Sequence, residues 1–295
     1  MSIRKLNKFS QSLDNKDFTI SSEIFLRPDT GREAIKIQAE LLKDHVDGIL
    51  VTDNQSGQLH MSPLSAGIIL KENGIDPIIN LTCRNRNRIS LTSELLGCAS
   101  LDMNNLLLTR GEKIPNEVKR KAAALTEMNA TELISLANKI KTDEKLPTNN
   151  DFLIGGVVTP FTAKPGWPAT NLSEKIDAGA QFMITHTCLD MDVIKIYMER
   201  LVATKLLRRM HLIAGIAILK SADDAKWLRE HRPNVMIPRQ AVLRLEGSDN
   251  PEMEGIKMCS EQLKALSVIP GISGAHIIAS NSVLNIPEAV TRSEL

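Results

Sequence analysis

This chain of 295 residues has few aromatic residues, no closely spaced cysteines and no long apolar run. Aromatic residues make up 3% of the chain, so few rings are available to stack on a planar ligand. The four cysteines are too far apart for a zinc ribbon or a redox dithiol, and they predict reduced, buried thiols in a cytoplasmic protein. No stretch approaches the roughly 20 apolar residues of a membrane span. The polar N-terminus lacks the apolar core of a secretory signal.

The chain also lacks a surplus of either charge. It has 36 Lys and Arg against 35 Asp and Glu, a formal net charge of +1. This balance gives no indication of a nucleic acid or a membrane surface as partner. No linker rich in Gly, Ser or Pro divides the sequence. We therefore expect a single domain over residues 1–295, long enough to bury a substantial core.

The most informative stretch runs from Gly48 to Cys83. It holds two short apolar runs, each followed by polar residues, and a helical segment between them. Ser62 and Pro63 provide an N-cap and a first-turn proline for that helix, and Gly74 follows its end. This is the pattern of a βαβ unit, in which polar residues gather at the C-terminal ends of parallel strands.

The same alternation continues along the chain, and eight strand–helix repeats favour a closed (βα)8 barrel of the TIM type over a doubly wound sheet. The segment Val235–Pro238 is short and ends in proline, so we predict a loop or a single turn there. The predicted strands are Thr19–Phe25, Gly48–Asp53, Pro77–Cys83, Asn105–Gly111, Phe152–Val158, Phe182–Thr187, His211–Leu219 and Ser273–Ala279. The predicted helices are Gly31–Asp44, Ser62–Asn73, Arg88–Asp102, Thr131–Lys141, Ala169–Ala178, Asp192–Leu207, Ser221–Glu230 and Pro251–Leu266.

In such a barrel the site lies where the strand C-termini converge. The residues at these positions include two acids, Glu23 and Glu112, a histidine, His186, and two cations, Arg84 and Arg110. This set is richer in titratable groups than strand ends need for folding, and it forms a plausible acid–base constellation.

Glu23 is the sharpest single candidate. It lies in an otherwise apolar strand, where a carboxylate costs several kcal/mol unless it is paired or functional. A structural alternative is an inward glutamate tied to an arginine on a neighbouring strand. Apolar surroundings would instead favour the neutral form, which keeps a transferable proton available for catalysis.

Several motifs resemble the methylenetetrahydrofolate reductase family of flavin-dependent (βα)8 barrels. They are the VTDN and LTCRNRN segments after the second and third strands, the Arg110-Gly111 turn, Ser21-x-Glu23-x-Phe25, and the block from Lys175 to His186. The likeness covers Ile20 to about Pro287. It implies reduction of 5,10-methylenetetrahydrofolate to 5-methyltetrahydrofolate, with FAD as cofactor and NAD(P)H as co-substrate.

The resemblance also implies roles for individual residues. Glu23 corresponds to the general acid of the family. The expected cofactor-binding residues are Thr52, Asn80, Arg110, Asn129 and Lys175, and the expected substrate-binding residues are Glu112, His186 and Gln240. No metal site is expected.

The sequence departs from the family pattern at positions that normally strengthen flavin binding. Asn80 stands where histidine is frequent, and Asn129 stands where an aromatic residue or a polar equivalent packs on the cofactor. Glu112 replaces an aspartate. One alternative is therefore a paralogue that binds folate or a methyl donor without tightly held flavin, such as a methyltransferase or a subunit that needs a partner. A noncatalytic folate-binding subunit is a second alternative, and a homo-oligomer is compatible with each of them.

Overall fold

In the computed structural model, eight parallel strands close into a barrel in chain order, β1 to β8, with β8 pairing back to β1. The structure describes residues 8–15, 18–111, 125, 127–146, 151–232, 234–279 and 282–295. The strands are β1 Thr19–Glu23, β2 Gly48–Val51, β3 Pro77–Thr82, β4 Asn105–Thr109, β5 Leu153–Val158, β6 Phe182–Thr185, β7 His211–Ile218 and β8 Ile272–Ala279. The predicted fold class is confirmed.

Helices surround the barrel and follow the strands. They are α1 Lys8–Asn15, α2 Arg32–Leu42, α3 Pro63–Glu72, α4 Arg88–Ser100, α5 Ala130–Thr142, α6 Thr170–Asp177, α7 Met191–Ala203, α8 Ala222–His231, α9 Arg239–Glu246, α10 Pro251–Ser267 and α11 Ile286–Ser293. Two 3₁₀ turns cover Gln55–Gly57 and Leu206–Arg208. No helix in the described ranges is long and apolar enough to cross a membrane.

The barrel interior is apolar at its amino-terminal end. Phe182, the first residue of β6, packs edge-on against Phe9 of α1 with ring centroids 5.4 Å apart. Leu13 of α1 belongs to the same buried cluster as Leu50 and Ile213 of the strands. Helix α1 therefore closes this end, and the carboxyl end of the barrel is left for chemistry.

Local signals explain the helix starts that the sequence predicts. The Ser62 side chain accepts a hydrogen bond from the Ser65 amide, and Pro63 occupies the first turn of α3. All four cysteines are free and buried, as predicted. Burial raises the pKa of the Cys83 thiol to about 11, so this thiol is protonated and unreactive.

Several predicted boundaries are wrong, and three helices are absent from the prediction. Strand β1 ends at Glu23 and not at Phe25, and β4 ends at Thr109, so Arg110 and Gly111 follow the strand. Helix α7 stops at Ala203, and the chain then turns through Leu206–Arg208. The helices that the prediction lacks are α1, α9 and α11. The predicted loop at Val235–Pro238 is confirmed, with a single bridge between Met236 and Cys188.

Candidate functional site

The parallel topology brings most of the predicted site residues to the carboxyl end of the barrel. Glu23 is the last residue of β1, and Thr52 directly follows β2. Arg110 directly follows β4, and His186 directly follows β6. Asn80 lies two residues before the end of β3. Each strand contributes only one or two of these groups, so the site depends on closure of the barrel.

Glu23 forms a buried ion pair with Arg232. Nη2 of Arg232 lies 2.5 Å from Oε1 of Glu23, and the two side chains are only 7% and 6% exposed. Glu23 is thus paired with an arginine, as in the structural alternative. Arg232 comes from the segment after α8, however, and not from a neighbouring strand. The prediction of apolar surroundings for Glu23 is wrong in this respect, because a buried cation faces its carboxylate.

Arg232 is incompletely satisfied by this contact. Its Nε atom is buried and has no hydrogen-bond partner among the described residues. The backbone is extended at Arg232, and its amide donates to the Leu228 carbonyl. The next residue is proline, which favours an extended conformation at the residue before it. The segment therefore holds the guanidinium over the barrel and leaves one buried donor free for a ligand.

The polar character continues into the barrel interior. His276 of β8 is buried, and its Nδ1 lies 3.0 Å from Oγ of Ser21 on β1. Burial and the positive charge of Arg232 lower the pKa of His276 to about 3. His276 is therefore neutral at physiological pH and adds no second positive charge beside Arg232.

A small cleft, with a volume of about 20 Å³, lies beside the ion pair. Arg232 lines it together with the polar side chains of Thr52, Gln55, Gln58 and His60. Phe25, Leu26 and Trp227 form its apolar wall. The cleft thus combines neutral hydrogen-bonding groups, one indole ring and one buried cation, in a space for about one water molecule.

Lys175 of α6 and His186, which follows β6, are two further polar side chains near β5. Nζ of Lys175 donates to the Val157 carbonyl at 2.7 Å, and burial lowers the Lys175 pKa. Burial, together with the charge of Lys175, lowers the pKa of His186 to about 4. His186 is therefore neutral, with one ring nitrogen able to donate and the other able to accept a hydrogen bond.

The turn after β4 is shaped for close approach. Gly111 has φ +84°, and a Cβ there would lie 3.0 Å from Cβ of Thr82 and 3.1 Å from Cβ of Arg84, so glycine is required. Arg84 has a buried Nε without a hydrogen-bond partner in the described part of the chain. Arg110 is exposed. Arg84 follows β3 and Arg110 follows β4, and the Arg84 amide donates to the Arg110 carbonyl. Two cations on adjacent segments, one with an unused buried donor, have the chemistry to bind phosphate groups such as those of FAD.

Two other expected cofactor contacts are engaged within the protein. Nδ2 of Asn80 donates to the Leu107 carbonyl at 2.7 Å and to Oγ1 of Thr109 at 3.2 Å. Asn129 caps α5, where its side chain and that of Glu132 form a reciprocal capping box. Only the Asn80 oxygen and the Asn129 amide nitrogen are left for a ligand. A cofactor that binds through these two atoms would make few hydrogen bonds with the protein.

The remaining predicted residues are placed less decisively. Gln240 is exposed in the first turn of α9. Glu112 lies outside the described residues. In the described ranges, no group of three or more His, Cys, Asp or Glu side chains is arranged to hold a metal ion.

Of the residues that line the cleft, Thr52 is the one among the predicted site residues; Arg232 and Trp227 are among those that the sequence analysis does not identify. Arg232 is 209 positions from Glu23 in the chain, and it sits in a charged segment, REHRP, that resembles a solvated helix end. One signal was available. A buried carboxylate at the end of β1 requires a cation, and Arg232 immediately precedes a proline in the sequence, which favours an extended backbone at Arg232.

Comparisons with known proteins agree with the fold. The family model described as methylenetetrahydrofolate reductase matches residues 8–293. No curated protein sequence matches the chain significantly. Among solved structures, an uncharacterised protein from Clostridium thermocellum that binds two copies of 5-methyl-5,6,7,8-tetrahydrofolic acid aligns with a TM-score of 0.66 at 14% identity, over 97% of each chain. Tryptophan synthase from M. tuberculosis aligns with a TM-score of 0.53 at 11% identity, over 98% of this chain and 100% of that one. At these identities, the structural matches establish the fold.

Proposed function

Because the chain belongs to the methylenetetrahydrofolate reductase family, we propose that it reduces 5,10-methylenetetrahydrofolate to 5-methyltetrahydrofolate with FAD and NAD(P)H. The observation that carries this proposal is the buried carboxyl of Glu23 at the carboxyl end of the barrel, where the other predicted site residues also lie. A buried charged acid costs stability, which a site for ligand binding alone does not require. The folate ligand of the Clostridium thermocellum protein supports the same substrate class.

The side chains present fit a flavin that is held loosely. Arg84, Arg110 and Thr52 would provide donors to its phosphates and ring, while Lys175 would add charge nearby. A bound flavin would supply the hydride, which protein side chains cannot. Because the donors of Asn80 are used within the barrel and Asn129 caps a helix, we expect FAD to exchange with solvent.

The residues of the chain would supply binding and a proton. Glu23 would protonate a ring nitrogen of the folate, so that the one-carbon bridge opens before reduction. Neutral His186 would orient the folate through hydrogen bonds, since either of its ring nitrogens can face a ligand. Glu112 and Gln240 would complete the substrate contacts.

A direct assay tests the proposal. The purified protein is mixed with FAD, NADPH or NADH, and 5,10-methylenetetrahydrofolate, and 5-methyltetrahydrofolate is quantified by mass spectrometry. We expect product that depends on added FAD and that falls at least about 100-fold with Glu23→Gln. Absence of product with both nucleotides at saturating FAD would contradict the proposed reaction.

A second candidate rests on the engaged asparagines. If the cofactor contacts at Asn80 and Asn129 are too few for any useful flavin affinity, the same end of the barrel would bind a reduced folate as a methyl carrier or with a partner subunit. That protein would bind 5-methyltetrahydrofolate without FAD and would form no product in the assay.

A further inference from the structure

We propose that Asn80 and Thr109 form an acceptor–donor pair that binds the lactam edge of a ring, in which an N–H group lies beside a C=O group. This inference rests on the proposed function, since the flavin ring and the pterin ring of a folate each carry such an edge. It adds Thr109, which is not among the predicted site residues, and it gives the Asn80 side chain a defined polarity toward a ligand.

The Asn80 amide is held in one orientation. Its Nδ2 donates to the Leu107 carbonyl at 2.7 Å and to Oγ1 of Thr109 at 3.2 Å. A backbone carbonyl only accepts hydrogen bonds, so the nitrogen of the amide, and not its oxygen, faces Leu107. Both hydrogens of Nδ2 are then in use. Asn80 therefore meets a ligand only with Oδ1, which is an acceptor.

Thr109 has the complementary polarity. Because its Oγ1 accepts from Asn80, the hydroxyl keeps its own proton to donate. No acceptor for that proton is found among the described residues. Asn80 and Thr109 thus place one acceptor and one donor side by side on the adjacent strands β3 and β4. A lactam edge matches them, with its N–H directed to Asn80 and its C=O to Thr109.

Both side chains face the interior of the barrel. Ile78 and Leu107 belong to the cluster that fills this interior, and residues two positions apart in a strand point to the same side. Asn80 and Thr109 follow them by two positions. They are half-buried, whereas Ile78 and Leu107 are buried. The pair therefore lies at the edge of the apolar interior, where a ligand that enters from the carboxyl end can reach it.

An apolar surface adjoins the pair. Leu107 pairs with Gly155, and Val157 is the next inward-facing residue along β5. Val157 is half-buried and packs against the interior cluster. A planar ring whose edge meets Asn80 and Thr109 would rest one face on this apolar surface. Two polar groups beside an apolar surface form the usual composition of a small-molecule site.

Separate binding titrations of the full-length protein test the pair. FAD is titrated by its fluorescence, and 5-methyltetrahydrofolate is titrated by calorimetry. Thr109→Val removes the hydroxyl and keeps the β-branched shape that suits a strand, and Thr109→Ser restores the hydroxyl. Thr204→Val is the matched control, because Thr204 is also half-buried but follows α7, where its hydroxyl donates to the Leu201 carbonyl. Urea denaturation checks that each variant is folded.

We expect Thr109→Val to weaken the binding of one of the two ligands by about three- to tenfold, through the loss of one neutral hydrogen bond. Thr109→Ser should restore most of the affinity, and Thr204→Val should leave it unchanged. A loss confined to FAD assigns the bound edge to the flavin, and a loss confined to the folate assigns it to the pterin. An analogue of that ligand methylated at its lactam nitrogen should bind the wild type about tenfold more weakly or worse, because Asn80 then has no N–H to accept.

Three results would overturn the inference and leave the proposed function standing. They are unchanged affinity of Thr109→Val for both ligands, an equal loss for both or a loss that Thr109→Ser does not restore, and undiminished binding of the methylated analogue. Absence of binding of both ligands to the wild-type protein would overturn the inference and the proposed function together.

Discussion

Asp53 lies just after β2, and Thr82 ends the neighbouring strand β3. Two hydrogen bonds from Thr82 to one carboxylate oxygen of Asp53 join them. The amide and Oγ1 of Thr82 donate to Oδ2 of Asp53 at 2.9 and 2.8 Å. Arg86 pairs with the same oxygen. The two motifs that most resemble the reductase family therefore meet in space, and Asp53 ties the β2 and β3 loops together at the edge of the site.

Replacing Asp53 with Asn tests this interpretation. The Asp53 side chain is fully buried and that of Arg86 is 11% exposed, so the substitution removes the nearer counter-charge of a poorly hydrated cation and leaves only Glu94, whose Oε1 lies 3.8 Å from Nε of Arg86. We expect a loss of about 3 kcal/mol in the free energy of unfolding, measured by urea denaturation. The matched control is Asp177→Asn, which removes an exposed pair with Arg209 and should cost less than about 1 kcal/mol. Equal losses would contradict the role of Asp53.

The barrel interior gives a second prediction. A Cβ on Gly155 would lie 2.2 Å from the Phe182 ring, which is fully buried. Gly155→Ala should therefore destabilise the protein by about 1–3 kcal/mol through overpacking. The adjacent Gly156→Ala is the control, because its nearest atom is the sulfur of Met183 at 3.2 Å, on a flexible side chain. The midpoint temperature of thermal unfolding is measured for both variants. An equal decrease in both would contradict the prediction and mean that the barrel interior adapts to the added methyl group.

His186 and Lys175 give a pH prediction. The pKa of His186 is lowered from 6.5 to about 4 by burial and by Lys175. Between these values the unfolded chain binds the proton and the folded chain does not, so stability falls as the pH drops from about 6.5 to about 4. His186→Gln should reduce that slope. NMR titration should show His186 neutral at about pH 6, and its pKa should rise in Lys175→Met. An ordinary pKa near 6.5 would contradict the burial of the site.

Flavin binding is expected to be weak. Fluorescence titration with FAD should give saturable binding at micromolar to tens of micromolar concentrations, about −8 to −6 kcal/mol. Arg110→Gln should weaken it further, since a charge-assisted hydrogen bond to phosphate is lost. Arg208→Gln is the control, since Arg208 lies in the 3₁₀ turn between α7 and β7, at the amino-terminal side of the barrel. No change in fluorescence at tens of micromolar FAD would contradict flavin dependence and favour the folate-carrier alternative.

The sequence predicts the barrel well because its signals are local. Apolar runs such as Pro77–Thr82 and caps such as Ser62 act over a few residues, and the parallel topology then carries Glu23, Thr52, Arg110 and His186 to one end. Helix α1 is missed because its segment, KFSQSLDN, is mostly polar. It packs through two residues, Phe9 and Leu13, whose partners lie inside the barrel.

The partners of the site residues are harder to predict. Arg232 reaches Glu23 from a different repeat of the barrel, and its pairing depends on where α8 ends and how the next segment turns. The use of Asn129 as a helix cap is readable from the sequence, since Glu132 follows three positions later. The occupation of both Asn80 donors by β4 depends on strand register, which spacing alone does not fix.

The central claim is that Glu23 supplies the proton for folate reduction, and rapid-mixing kinetics of Glu23→Gln test it most directly. Gln keeps the shape and a hydrogen-bonding oxygen toward Arg232 but removes the transferable proton. Two half-reactions are measured separately on FAD-loaded protein, the reduction by NAD(P)H and the reoxidation by 5,10-methylenetetrahydrofolate. The account predicts a loss of about 10²–10⁴ in the folate half-reaction with the NAD(P)H half-reaction nearly unchanged. An equal loss in both half-reactions, or a variant that no longer folds, would show that Glu23 and Arg232 serve the structure and not the chemistry.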